Sequence, residues 1–370
     1  MVQRLTCGMI ILCLGLAPLF GAEAPADSGA QPEVTPQVLQ SIDKACGWLA
    51  RQQGKDGGLN SQYSVAATAL AGLAWLGSGS TPDSGPYARN VTQALRFILN
   101  SQSKNGFVSE GRNYGASMMY GHGYSTQFLA EAYGMVRDPD LADEVRQALQ
   151  KSTRLLETTQ NTFGGWNSSP NAQGSDDGSG AVAIMQISAL RAAESCGVYV
   201  KTQTISKSKK YLLEMTNNEG WYAYNWHARS SGRGSPGTTA AGMYMLGAMG
   251  LHADPRYAKG IKNLMATSPF MKTKGGWGEA GGWGWYYYTC FYASLAIFQH
   301  GGEEWRQWYP AMVTDLLKKQ RPDGGWDDGY GGVMTGLAAL CLELPLALSA
   351  DVPGGRRGDG RALRPPRISY

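Results

Sequence analysis

The sequence predicts an all-α fold, an α/α toroid in which about six helix pairs close into an inner and an outer ring. Three observations predict it. A Gly-rich turn recurs six times, an amphipathic helix precedes each turn, and a helix that is apolar nearly all round follows it.

The turns read Gln53…Asp56-Gly57-Gly58-Leu59, Gln102…Asn105-Gly106-Phe107, Gln160…Gly164-Gly165-Trp166, Glu219-Gly220-Trp221, Gly275-Gly276-Trp277 and Gln320…Asp323-Gly324-Gly325-Trp326. Their Leu or aromatic positions (59, 107, 166, 221, 277 and 326) set a period of about 50–55 residues. Before the turns, Val38, Ile42, Cys46 and Leu49 share one helical face, as do Val91, Leu95, Ile98 and Leu99, and Met312, Val313, Leu316 and Leu317. The opposite faces are charged or polar, which places these helices outside. After the turns, the stretches from Ser64 to Leu76, Ser179 to Ala193, Thr238 to Met249 and Val333 to Leu342 have no polar face and belong inside. Period-two alternation is absent, which excludes a propeller. The terminal units resemble the middle ones, which favours a closed ring over a capped solenoid.

The flanks differ from this body. Arg4 and the apolar run from Met9 to Phe20 read as a signal peptide over 1–26, cleaved near residues 22–26. Residues 27–37 read as a flexible linker, 38–348 as the toroid and 349–370 as a disordered basic tail. The tail from Asp351 has five Arg and two Asp out of a whole-chain charge of +4, so the body is nearly neutral and nucleic-acid binding is not expected. No later stretch is apolar enough to span a membrane, the best being interrupted by Glu343 and Pro345. The expected location is therefore periplasmic or extracellular. Cys46, Cys196, Cys290 and Cys341 are widely spaced and read as buried free thiols, with one long-range disulfide left open.

The turn Lys319-Gln320…Asp323-Gly324-Gly325-Trp326 resembles the Gln–Trp motif of the prenyltransferase and squalene oxidase repeat, found in squalene–hopene cyclases, lanosterol-type cyclases and protein prenyltransferase β subunits. In that picture the Gln amide meets the free amides of the following inner helix, and the Trp packs over the turn. The segments 119–126, 186–193 and 308–311 are similar to an exported bacterial group of this superfamily, common in planctomycetes. The resemblance implies a toroid, and it implies that residues at inner-helix starts face one mouth of a central cavity.

The family's two chemistries are both degenerate here. The cyclase acid motif, Asp-x-Asp-Asp, corresponds to Gly174-Ser175-Asp176-Asp177, where the leading Asp is Gly174. Loss of a positioned acid–base partner costs on the order of 10²–10⁴ in rate. Asp176 and Asp177 remain catalytic candidates, the competing reading being that they cap the inner helix. At the prenyltransferase zinc site, Tyr288 stands at the His position, and Gly234-Ser235-Pro236-Gly237-Thr238 lacks the Asp and Cys. No metal or other cofactor is expected. EF-hand, phosphate-loop, nucleophile-elbow and thioester motifs are absent from the sequence.

Two aromatic groups are the candidate ligand-binding residues: Tyr120, His122 and Tyr124, and Trp283, Trp285, Tyr286, Tyr287 and Tyr288. Such rings grip isoprenoids, stack on sugars, or simply pack the turns. The glycines beside His122 suggest an exposed ring. The expected partner is an apolar small molecule, a terpenoid or another long chain, or a glycan, held in the central cavity. The alternatives are a polysaccharide-lyase-like toroid, with Arg229 and Arg233 beside His227 as its basic group, and a protein-interaction repeat. A deep apolar cavity favours the terpenoid, a polar open groove the glycan, and a plugged centre the interaction repeat.

Overall fold

The computed structural model describes residues 34–110, 118–170, 178–230, 234–268, 283–326 and 329–349. Six outer helices, α1 (Pro36–Gln52), α3 (Ala88–Asn100), α5 (Pro139–Thr159), α7 (Thr202–Met215), α9 (Pro255–Thr267) and α11 (Gly302–Lys319), alternate with six inner ones. The inner helices are α2 (Ser64–Gly77), α4 (Met118–Tyr133), α6 (Gly180–Ser195), α8 (Pro236–Ala248), α10 (Trp283–His300) and α12 (Val333–Ser349). Among the described residues there is no strand, only isolated bridges within and between turns. No helix there is long and apolar enough to cross a membrane.

Local sequence starts the outer helices. Thr35-Pro36, Asp138-Pro139 and Asp254-Pro255 each place a capping side chain before a proline whose missing N–H costs nothing at that position. The inner helices form the core. Val65 through Leu76 are all buried in α2, and α6 is buried from Gly180 to Leu190. Each inner helix packs on the next, and α12 packs on α2, so the ring is closed. α12 continues through Pro345 to Ser349 rather than breaking there.

The turns share one register, counted from the Gln. Four residues on lies a positive-φ glycine: Gly57, Gly106, Gly164 and Gly324. A Cβ on any of them would meet a backbone carbonyl of the next outer helix at 2.2–2.4 Å. Only glycine satisfies both demands. Six residues on lies the buried anchor: Leu59, Val108, Trp166 and Trp326, with Tyr222 in the fourth turn, where Thr216 stands for the Gln. The anchors of the second and fourth turns are thus one residue later than Phe107 and Trp221, both of which are partly exposed. Trp277 lies outside the described residues.

The role expected for the Gln is also corrected. Its Nε2 is a donor and finds carbonyls, not inner-helix amides. Gln53 donates to Gly57 and Asn90, Gln102 to Gly106 and Ala148, Gln160 to Gly164 and Thr204, and Gln320 to Gly324 and Ser41. Each Gln therefore ties its turn to the next outer helix. Gln320 ties the sixth unit to α1, and the Ser41 hydroxyl returns a 2.7 Å bond. The ring closes with the same lock that joins its internal units. Gln320→Ala should lower stability by about 1–3 kcal/mol, by stranding acceptors at a part-buried joint. Denaturation of this variant alongside Ser41→Ala and the double variant checks it, the two losses being non-additive if the bond is direct.

Candidate functional site

The inner helices start at one end of the ring and bring tyrosines onto its axis. Tyr120 and Tyr124 on α4, and Tyr288 and Tyr292 on α10, are spaced i, i+4 and so share a face on each helix. α4 and α10 stand opposite one another in the ring. The Tyr292 hydroxyl lies 3.2 Å from that of Tyr124 and 2.8 Å from Met185 Sδ on α6. This contact spans the barrel, and both tyrosines are buried. Tyr288 and Tyr244 pack beside Tyr292, at 4.7 and 5.9 Å between ring centroids.

The column continues in both directions. Toward the helix ends, Ser188 bonds Tyr244, with Glu131 and Arg191 close by. Toward the mouth, Tyr120, Tyr222 and Tyr224 neighbour Tyr288. Tyr224 is half exposed and Tyr120 partly so. Burial raises the hydroxyl pKa of Tyr120, Tyr124, Tyr244, Tyr288 and Tyr292, so these groups stay protonated hydrogen-bonding groups at neutral pH.

The candidates separate on this frame. Tyr120, Tyr124 and Tyr288 come together on the axis. Tyr286 does not: its hydroxyl donates to the Asp315 carboxylate on α11, and Lys319 sits 5.0 Å over its ring. Tyr287 is buried edge-on against Tyr286. Consecutive residues of a helix point about 100° apart, so a run of three tyrosines cannot face one cavity. Trp283 and Trp285 lie in the first turn of α10, and their side chains are outside the described set.

His122, expected to be exposed, is fully buried. Its Nδ1 accepts the Val108 amide at 3.3 Å beneath the second turn. Thr68, Thr239 and Thr335 do the same for Leu59, Tyr222 and Trp326. The ring thus does a repeat-wide structural job, and burial lowers its pKa to about 3. Its glycine neighbours reflect close packing: a Cβ on Gly123 would meet Met185 at 2.7 Å, and one on Gly121 would meet Val65 at 3.2 Å.

Asp176 and Asp177 lie outside the described residues. The capping role weighed for them is filled by Ser179, whose side chain accepts from Val182 N at the start of α6. Ser179 also hydrogen-bonds Tyr120, so the chain two residues beyond Asp177 sits at the top of the column. Arg229 stacks 4.1 Å over Trp226 and donates to its carbonyl; Arg233 is outside the described residues. Cys46, Cys290 and Cys341 are buried free thiols, and Cys196 is half-buried.

A groove of about 830 Å³ opens on the same side, between the first two turns. Ser61, Gln62 and Ser64 form one wall, and Asn100, Ser109 and Glu110 belong to the other. Beside it Tyr63 stacks on Tyr330 at 5.6 Å, across the seam between the first and sixth units. Tyr222, Tyr224, Tyr244, Tyr292 and this groove are additions to the sequence-derived site. The i, i+4 spacing of Tyr288 and Tyr292 was the available signal for one of them.

Solved structures with the same architecture are similar over nearly their whole length. The α-1,6-mannanase GH76A of Salegentibacter sp. HEL1_6, in a variant inactivated at two adjacent aspartates and bound to α-1,6-mannotetrose, gives a TM-score of 0.57 at 10% identity. That match covers 84% of this chain and 99% of the mannanase. The type II terpene cyclase MstE from Scytonema gives 0.53 at 18% identity in one variant, covering 84% and 97%. A second variant, with merosterolic acid A as product, gives 0.52 at 17%, covering 85% and 98%. The chain is an α/α toroid. At these identities the likeness is one of fold, and this toroid's site is read from its own residues. No protein-family model matches the sequence, and no curated protein does.

Proposed function

We propose that this toroid binds a glycan at the mouth where its inner helices start, and that Asp176 and Asp177 are the carboxylates that act on it. The observation that carries the reading is the open groove of hydroxyls, amides and carboxylates on this side of the ring; against a long apolar ligand stands the Tyr124–Tyr292 contact across the ring. It closes the axis at mid-depth, so a long apolar chain would have to displace two buried tyrosines to enter. Above this floor the mouth offers two exposed rings, Tyr224 and Tyr330, and two partly exposed ones, Tyr120 and Tyr63, the combination that stacks on and hydrogen-bonds sugars. The mannanase whose fold is shared binds an α-1,6-mannan oligosaccharide and is inactivated at two adjacent aspartates, which supports an Asp pair as the acting group.

A terpenoid is the second reading, and the tyrosine faces around the axis favour it. Calorimetric titration of the full chain with mannotetraose and with geranylgeraniol separates the two. Sugar binding weakened at least about tenfold by Tyr224→Ala, and release of reducing ends abolished by Asp176→Asn, is the expected result. Binding of the isoprenoid alone, lost in Tyr292→Ala, would overturn the glycan reading. Export, read from residues 1–26, belongs to the same proposal, and a purified native protein still beginning at Met1 would remove it.

A further inference from the structure

The groove between the first and second turns is a second concave surface beside the mouth. Its volume, about 830 Å³, is within the range of small-molecule sites. One wall comes from the first turn (Asp56, Ser61, Gln62, Ser64) and the other from the end of α3 and the second turn (Asn100, Ser109, Glu110). Phe97 lines it too, partly exposed, with one edge of its ring against Gly58. The two carboxylates are each held by one backbone bond. Asp56 Oδ1 accepts Gly58 N at 3.1 Å, and Glu110 Oε1 accepts Val65 N at 3.1 Å. The latter caps α2, whose own N-cap residue Tyr63 provides no side-chain bond.

Among the described residues the lining carries no Lys, Arg or His. Its side chains are hydroxyls, amides, two carboxylates and one ring. A carboxylate facing a ligand hydroxyl accepts a strong charge-assisted bond, whereas a carboxylate facing a ligand carboxylate repels it in a partly desolvated site. The stacked Tyr63–Tyr330 pair stands beside Gln62 and Ser64, so the groove and the mouth share one surface.

Resting on the glycan reading above, we infer that this groove is an outer subsite for an uncharged glycan, which excludes the uronate polymers that polysaccharide lyases take. A neutral sugar lies over Phe97 with its hydroxyls on Asn100, Gln62, Asp56 and Glu110, and the chain runs on past Tyr63 to the mouth. Asn100 and Gln62 are exposed at the rim, and neither side chain bonds another described residue, so the fold does not depend on them.

The test is titration of the full chain and of Asn100→Ala/Gln62→Ala with neutral mannan, glucan and xylan oligosaccharides and with oligogalacturonate. The expected result is binding of a neutral oligosaccharide and none of the uronate. The double variant should lose about tenfold in affinity for long but not short oligosaccharides, with its thermal midpoint unchanged. Uronate binding at least as tight as neutral binding overturns the charge argument. Neutral binding that the double variant leaves intact overturns the subsite while the glycan reading stands. Absence of any glycan binding by a full chain that keeps its cooperative thermal transition removes both.

Discussion

Replacing Trp326 by alanine is expected to destabilise the protein by about 3–5 kcal/mol, the cost of emptying a well-packed indole site. The ring is fully buried, and its Nε1 donates to the Leu316 carbonyl at 2.9 Å, ten residues back on the outer helix. Trp166 repeats the arrangement with Leu156. The indole thus clamps the end of an outer helix onto the start of the next inner one. Its amide is in turn held by Thr335. Loss of the ring opens a cavity and strands the Leu316 acceptor, and neither loss can relax much in a closed ring. Chemical denaturation reads the effect directly. A variant with an unchanged midpoint would show that the sixth anchor carries no packing energy and that the ring closes by its polar locks alone.

Stability should also vary with pH in a shape set by two buried groups. Glu343 on α12 is 1% exposed, and neither carboxyl oxygen has a hydrogen-bond partner among the described residues. Burial pushes its pKa well above the ordinary glutamate value. Its folded form is therefore the neutral acid, and folding binds a proton that the unfolded chain releases above about pH 4.5. Stability from this group falls by about 1.4 kcal/mol per pH unit as pH rises above that value, until its folded pKa is reached. His122 acts in the opposite sense. Its folded pKa of about 3 means that the unfolded chain binds the extra proton below pH 6.5, so stability falls as pH drops from 6.5 toward 3. Above about pH 4.5 the two slopes oppose one another for as long as Glu343 stays protonated in the folded state, and below it the His122 slope acts alone, so stability declines toward acid. Urea midpoints across the pH range check this. Glu343→Met should flatten the alkaline limb and match or exceed the parent at neutral pH, because an uncompensated buried carboxyl is replaced by an apolar group of similar length. An alkaline limb unchanged in that variant would assign the decline to other groups.

The ring was readable from the chain because its information is periodic. Gln, Gly and anchor recur at fixed offsets, and helices with and without a polar face alternate, so each unit repeats the evidence of the last. The slips came where one residue's identity outweighed its register. Phe107 and Trp221 are more conspicuous than Val108 and Tyr222, yet the smaller or later residue occupies the anchor. The site was harder to read because it is not periodic. Tyr286, Tyr287 and Tyr288 look like one cluster in sequence, but a helix turns them to different neighbours, and only Tyr288 reaches the axis. Its true companions, Tyr120, Tyr124, Tyr222 and Tyr292, come from three units. The groove joins residues of two turns roughly 45 residues apart, and no local pattern marks such a pair.

The joint between Gln320 and Ser41 has a mechanical meaning. An open solenoid is an arc with two free ends, each able to fray without disturbing the middle. Here Gly324 presses on Lys44, Arg51 donates to the Asp323 carbonyl, and Ser61 donates to that of Tyr330, so the arc is pulled into a hoop. Inner-helix ends and outer-helix starts share one side of the molecule, and α12 packs on α1, so the gap between Ser349 and Pro36 is where one more inner-to-outer link would stand. The break in the covalent chain is then no weak point of the structure. Tension at any joint is borne around the whole circumference, and parting a single one, the seam included, turns the hoop back into an arc in which the two flanking units each have a free end.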